Sequence, residues 1–145
     1  MLNELEQVLP ADIEKRSFEI ITEELGDKIL IPGTEPIVKR CIHTSADFDY
    51  ADNLAFSDGV VERALEAIRN GASIVTDTQM AKAGINKKRL AQYGGEVHCF
   101  MSDEDVAQAA KENGTTRAAA CMDKAAAMSR ENQQEHGLIF AIGNA

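Results

Sequence analysis

Apolar positions along this chain repeat with two different periods. Between residues 11 and 25, Ile13, Phe18, Ile21 and Leu25 recur at helical spacing with charges between them, and Gly26 follows as a C-terminal stop. A turn at Pro32 and Gly33 leads into Ile37, Val38, Lys39, Arg40, Cys41 and Ile42, a mostly apolar run that reads as a buried strand ending at His43. The chain then opens into the polar loop Thr44 to Asp49. Ser57 or Asp58 can cap a helix from Val60 to Asn70 that stops at Gly71, and a second strand follows over Ala72 to Thr76. After Asp77, Thr78, Gln79, Met80 and Gly84, a short helix is expected from about Asn86 to the Gly94–Gly95 pair, then a third strand over Glu96 to Met101. Ser102 and Asp105 form a capping-box-like start for the next helix, which ends near Asn113 and Gly114. An Ala-rich helix from about Thr116 to Gln133 precedes a fourth strand over Leu138 to Ile142.

This βαβαβαβ order predicts one α/β domain over residues 1–145, with a mainly parallel sheet and helices on both faces. In such a sheet the carboxyl ends of all strands share one edge. His43, Asp77 with Thr78, Ser102, and Gly143 with Asn144 are expected along it, and that edge is where open α/β sheets bind ligands. His43 is the group there whose unperturbed pKa lies nearest neutrality, so it reads first as a proton-transfer residue and otherwise as a hydrogen-bonded structural histidine.

Charge narrows the partners. With 24 acidic and 15 basic residues the chain carries a formal charge of −9, which argues against general binding to nucleic acid or to anionic membranes. An anionic ligand needs a local basic group. No apolar run approaches a membrane span, and Glu4 and Glu6 stand where a secretory leader would be basic, so the expected location is cytoplasmic. Cys41, Cys99 and Cys121 have no metal-ligand spacing and read as small apolar residues; no metal site is expected. His98 and His136 read as structural, Asp47 as a loop or cap residue, and Asp77 as ambiguous. Arg16 can pair with Asp12 or Glu19 on its own helix. Arg117 stands in a helix's first turn, where a cation opposes the macrodipole unless an anion binds there.

Five pieces occur in order: Arg16-Ser17-Phe18; Arg40 through His43; Asp77-Thr78-Gln79-Met80 with Gly84; Thr116-Arg117; and Ile142-Gly143-Asn144-Ala145. Together they resemble the precorrin-8X and cobalt-precorrin-8 methylmutases of cobalamin biosynthesis, over essentially the whole chain. The resemblance implies a homodimeric isomerase without a dissociable cofactor. It would shift a methyl group from C-11 to C-12 of a corrinoid, giving hydrogenobyrinate or cobyrinate. His43 matches the family's catalytic acid or base, and Arg117 the arginine that meets substrate carboxylates. Arg16, Ser17, Thr78 and Gln79 match positions near the bound ring or its side chains. Two departures stand out. Ala118 replaces the serine usual after the matching arginine, and the family pattern runs on with Pro-Thr-Ala-Leu where this sequence stops at Ala145, which implies a C-terminally shortened member. The alternative is a corrinoid-binding or dimerising fragment without catalysis.

Overall fold

In the computed structural model, which describes residues 9–131 and 136–143, the apolar period after residue 11 forms helix α1 (Ile13–Leu25) behind a 3-10 turn at Pro10–Asp12. Gly26 ends it at φ 53°, a conformation that costs a residue without Cβ nothing, and its N–H bonds to the carbonyls of Thr22 and Glu23.

The run before His43 departs from expectation. It is not a strand but the middle of helix α2 (Glu35–Ser45). Thr34 stands at the N-cap position and Pro36 in the first turn, where its missing N–H is no loss. Val38 and Ile42, four residues apart, are buried, while Arg40 between them is exposed. A strand buried on both faces would have had to bury Lys39 and Arg40 as well, and a helix avoids that cost. The sheet therefore has three strands among the described residues, not four.

Contacts divide the chain into two units, residues 1–61 and 62–145. In the first, α1 and α2 meet through Ile21, Val38 and Ile42, with Phe18, Leu25, Phe48, Leu54 and Phe56 packed around them. A short helix α3 (Tyr50–Asn53) follows a turn in which the Asp47 carboxylate accepts the Asp49 N–H at 2.9 Å, the loop role expected of it.

Helix α4 (Val60–Arg69) starts at the boundary and leads to β1 (Ser73–Thr76) in the second unit. After β1 come α5 (Gln79–Gly84), α6 (Lys87–Ala91) and β2 (Val97–His98); α7 (Glu104–Glu112), α8 (Arg117–Glu131) and β3 (Leu138–Ala141) complete it. Pairing is parallel throughout, in the order β2-β1-β3, with Ile74 opposite Val97 and Ile139. Ser73 and Val75 on one face of β1 and Thr76 on the other are buried, as a covered central strand requires. The third predicted strand is shorter than its apolar pattern, and the end of the Ala-rich helix, residues 132–135, lies outside the described residues.

Helices α7 and α8 close on a core of Val106, Ala110, Ala120 and Cys121, with Phe100, Met101 and Met122 against it. Cys99 and Cys121 are buried free thiols, and burial pushes the Cys121 thiol up from its ordinary value. The expected Ser102–Asp105 capping box does not form: Asp103 is the N-cap residue and makes no side-chain cap bond. Asp105 and Asp103 instead accept from Lys124 of α8, at 2.8 and 2.7 Å, and the Lys124 ammonium lies 5.0 Å over the Phe100 ring. A lysine offers a stronger donor than a backbone N–H, which explains the switch.

This network has a pH signature. The hydrogen bond from Lys124 holds the Asp105 carboxyl below its usual range, so its stabilising contribution is present above that range and is lost as pH falls through the lowered value. Bonding to Asp103 and then Asp105 raises Lys124, whose contribution is lost only as pH rises through the raised value. Lys124→Met is expected to lower the melting temperature at neutral pH and to flatten its fall in acid. Thermal unfolding of both proteins across the acid range checks this; parallel curves would contradict it.

Candidate active site

In the second unit the strand order marks out one candidate site. The chain runs from β1 to β2 through α5 and α6, then crosses back through α7 and α8 to place β3 on the opposite side of β1. Connections thus diverge on either side of β1, and the crevice at such a switch point is where ligands of open α/β sheets bind. Asp77 and Thr78 leave β1 there, Gly143 follows β3, and Ser102 lies beyond β2, so the sequence expectation for these residues holds. Asn144 lies outside the described residues.

Asp77 is only 2% exposed, and its Oδ1 accepts the Gly143 N–H at 2.7 Å. This buried carboxylate acts as a clamp between the end of β1 and the segment after β3, a role the sequence left ambiguous. The fit around it is close. A methyl group at Gly143 would sit 3.0 Å from the Ala81 Cβ and 3.1 Å from the Thr78 Oγ1. Thr78 caps α5 by accepting the Ala81 N–H at 3.1 Å, and Gln79 Nε2 donates to Ser102 Oγ at 3.3 Å, joining the ends of β1 and β2. Met80 beside them is 85% exposed. A large apolar side chain next to amide and hydroxyl groups suits a ligand with an apolar body and polar edges. Its place next to Gln79 was legible, but nothing in the pattern showed that it faces outward.

Arg117 opens α8, where Thr116 Oγ1 accepts the Ala119 N–H at 3.1 Å. Its side chain is exposed and makes no ion pair with the described residues. Cation and helix N-terminus together favour an anion. His98, by contrast, stacks on Phe100 with ring centroids 5.9 Å apart, the structural role expected of it.

The first unit holds His43, Arg16 and Ser17. His43 lies in the last turn of α2, half-buried, with its ring centroid 5.6 Å from that of Phe18 on α1. The expected residue therefore stands on a helix end and not on a strand end. Arg40, three residues earlier, places its guanidinium 5.0 Å from the same Phe18 centroid. It donates to both carboxylate oxygens of Glu14, at 2.8 and 3.1 Å. That bond, then the charge of Arg40 and in smaller part that of His43, holds the Glu14 carboxyl below its usual range. Glu14 and Phe18, four residues apart, share one face of α1, and Arg40 and His43, three apart, share one face of α2. Sequence reading missed this cluster because it depends on α2 being helical. Phe18 also lines an open depression of about 700 Å³ with Glu14, Lys15, Glu19 and Thr22. Arg16 reaches Glu19 at 3.5 Å, one of the two pairings expected, and Ser17 beside it is half-buried.

Among the described residues, no group of three or more His, Cys, Asp or Glu side chains is placed to hold a metal ion, and no helix is long and apolar enough to cross a membrane.

Against known proteins, residues 12–145 match the precorrin-8X methylmutase family profile. The chain is 44% identical over 138 residues to the cobalt-precorrin-8 methylmutase of Priestia megaterium, covering 95% of this chain and 59% of that protein. It is 42% identical over 141 residues to the enzyme of the same name from Salmonella typhimurium, covering 94% and 65%. The crystal structure of precorrin-8X methylmutase from Thermus thermophilus superposes with a TM-score of 0.74 at 36% identity, over 92% of this chain and 63% of that one. This chain thus spans about three fifths of the length of these relatives. A sequence match running from α1 to the Gly143 segment, together with the shared fold, places the chain in the precorrin-8X methylmutase family.

Proposed function

We propose that this chain is a corrinoid methylmutase of cobalamin biosynthesis, moving a methyl group from C-11 to C-12 of precorrin-8X or cobalt-precorrin-8 to give hydrogenobyrinate or cobyrinate. Identity of 44% to a cobalt-precorrin-8 methylmutase, maintained over 95% of this chain, is the observation that carries the reading. That relative's name favours the cobalt-containing substrate. The working form is a cytoplasmic homodimer.

In this reading His43 lends a proton to the macrocycle, which brings it to the tautomer from which the methyl group migrates, and recovers that proton afterwards. The reaction is an isomerisation, so no atom is gained or lost. A donor for such a step must be accessible and fixed in direction. The half-buried imidazole at the end of α2 is accessible, and the neighbouring Phe18 ring bears on its direction. Arg117 binds a peripheral carboxylate of the substrate, and Thr78, Gln79, Arg16 and Ser17 contact its ring or side chains.

Titrating the 145-residue chain with hydrogenobyrinic acid while following its visible absorption tests the reading. Saturable binding is expected, weakened about 10- to 100-fold in Arg117→Ala, the range of one charge-assisted hydrogen bond. Absence of binding by folded protein would overturn it. Binding without turnover would favour a corrinoid-binding module instead.

A further inference from the structure

The surroundings of His43 carry an inference that rests on the proton-transfer reading above. Rotation of a histidine ring about its terminal torsion is broad and nearly two-fold, so a place on a helix does not decide which way the imidazole plane faces. A flat neighbour can decide it. The Phe18 ring lies 5.6 Å from the imidazole, with 38° between the two planes. Its own freedom is limited, because it packs against the buried cluster of Ile21, Val38 and Ile42 and has the Arg40 guanidinium 5.0 Å from its centroid. Arg40 in turn is gripped by both oxygens of Glu14, the forked geometry in which a guanidinium is least free to swing.

We infer that Phe18 is a positioning residue for His43: its ring fixes the plane of the imidazole, and the Glu14–Arg40 pair keeps that ring in place. The arrangement links an aromatic ring that lines the open depression on α1 to the orientation of the proton donor. Ligand pressing on Phe18 would be felt at His43.

The test uses the full chain with Phe18→Leu and Phe18→Tyr. The ring C–H resonances of His43 are assigned by their loss in His43→Ala, and kcat and KM are measured separately. Phe18→Leu should move the His43 resonances to the position of a histidine with no aromatic neighbour and lower kcat about tenfold with little change in KM, the cost of misaligning a reacting group. Phe18→Tyr, which keeps the ring, should preserve both. Phe18→Met replaces Phe18→Leu should that variant not fold. Unchanged His43 resonances in Phe18→Leu would overturn the inference, as would equal losses in the Leu and Tyr variants. Full turnover by His43→Ala would instead overturn the proton-transfer reading, and the resonances alone would then decide whether Phe18 orients the ring.

Discussion

His43→Ala is expected to lower methylmutase turnover by about 10²- to 10⁴-fold, the usual contribution of a positioned general acid or base, while leaving corrinoid binding within a few-fold of the parent. The split follows from where the residue sits. His43 is half-buried at the end of α2, outside the buried trio of Ile21, Val38 and Ile42, so its truncation leaves the packing of α1 on α2 in place. Binding is assigned to other groups, chiefly Arg117 and the polar side chains after β1. Turnover followed by the spectral change from substrate to product, beside a product titration and a circular dichroism spectrum, separates the possibilities. Turnover above a tenth of the parent value would remove His43 from the chemistry. Loss of binding with an intact fold would make it a substrate contact.

Gly95→Ala should produce the largest loss of stability. A Cβ at this buried glycine would fall far inside contact distance of the Ala72 carbonyl oxygen and 3.1 Å from Leu90 Cγ and Cδ1. Neither neighbour can yield cheaply. Ala72 directly precedes β1 and Leu90 is buried. The next residue is tied on both sides: the Glu96 carbonyl accepts the Ile74 N–H at 2.8 Å, and the Glu96 N–H donates to Ser73 Oγ at 3.1 Å. Relief of the clash must therefore disturb the β1–β2 ladder. We expect a cost of about 3 kcal/mol, the upper end for overpacking, and a fall in melting temperature of roughly 10 °C for a chain of this size. Differential scanning calorimetry reads it directly; a fall of less than about 2 °C would show that the loop between α6 and β2 gives way freely.

These two residues mark what was and was not legible in the sequence. The three observed strands were announced by short, largely apolar runs, two of them directly after the glycine breaks at Gly71 and Gly95, the punctuation that bounds a strand in sequence. The run from Ile37 to Ile42 imitated that signature with β-branched residues, and their strand preference yielded to the packing of Val38 and Ile42 against Ile21. The histidine singled out in the sequence thus stands on a helix end and not on a strand end. Asp77 stayed ambiguous for a different reason: the group that defines it, the Gly143 N–H, is 66 residues away along the chain. Ser102 and Asp105 looked like partners of each other, but each meets a side chain on another element, Gln79 and Lys124. Local pattern identifies elements and chemistry; pairings set by topology escape it.

The strand order has a last consequence, for the time course of folding. β1 and β2 need only residues 77–96 between them to fold back, whereas β3 pairs with β1 after the longer excursion of residues 77–137. Closing a longer loop costs more entropy, and sequence-distant parallel pairing is slow. Until β3 docks, one side of β1 is an open edge, the kind of surface on which strands of neighbouring chains can pair. Docking of β3 covers that side of β1 and moves the edge outward to β3, and the Gly143 N–H meeting the Asp77 carboxylate latches it, so the step that buries β1 also finishes the rim of its candidate ligand crevice.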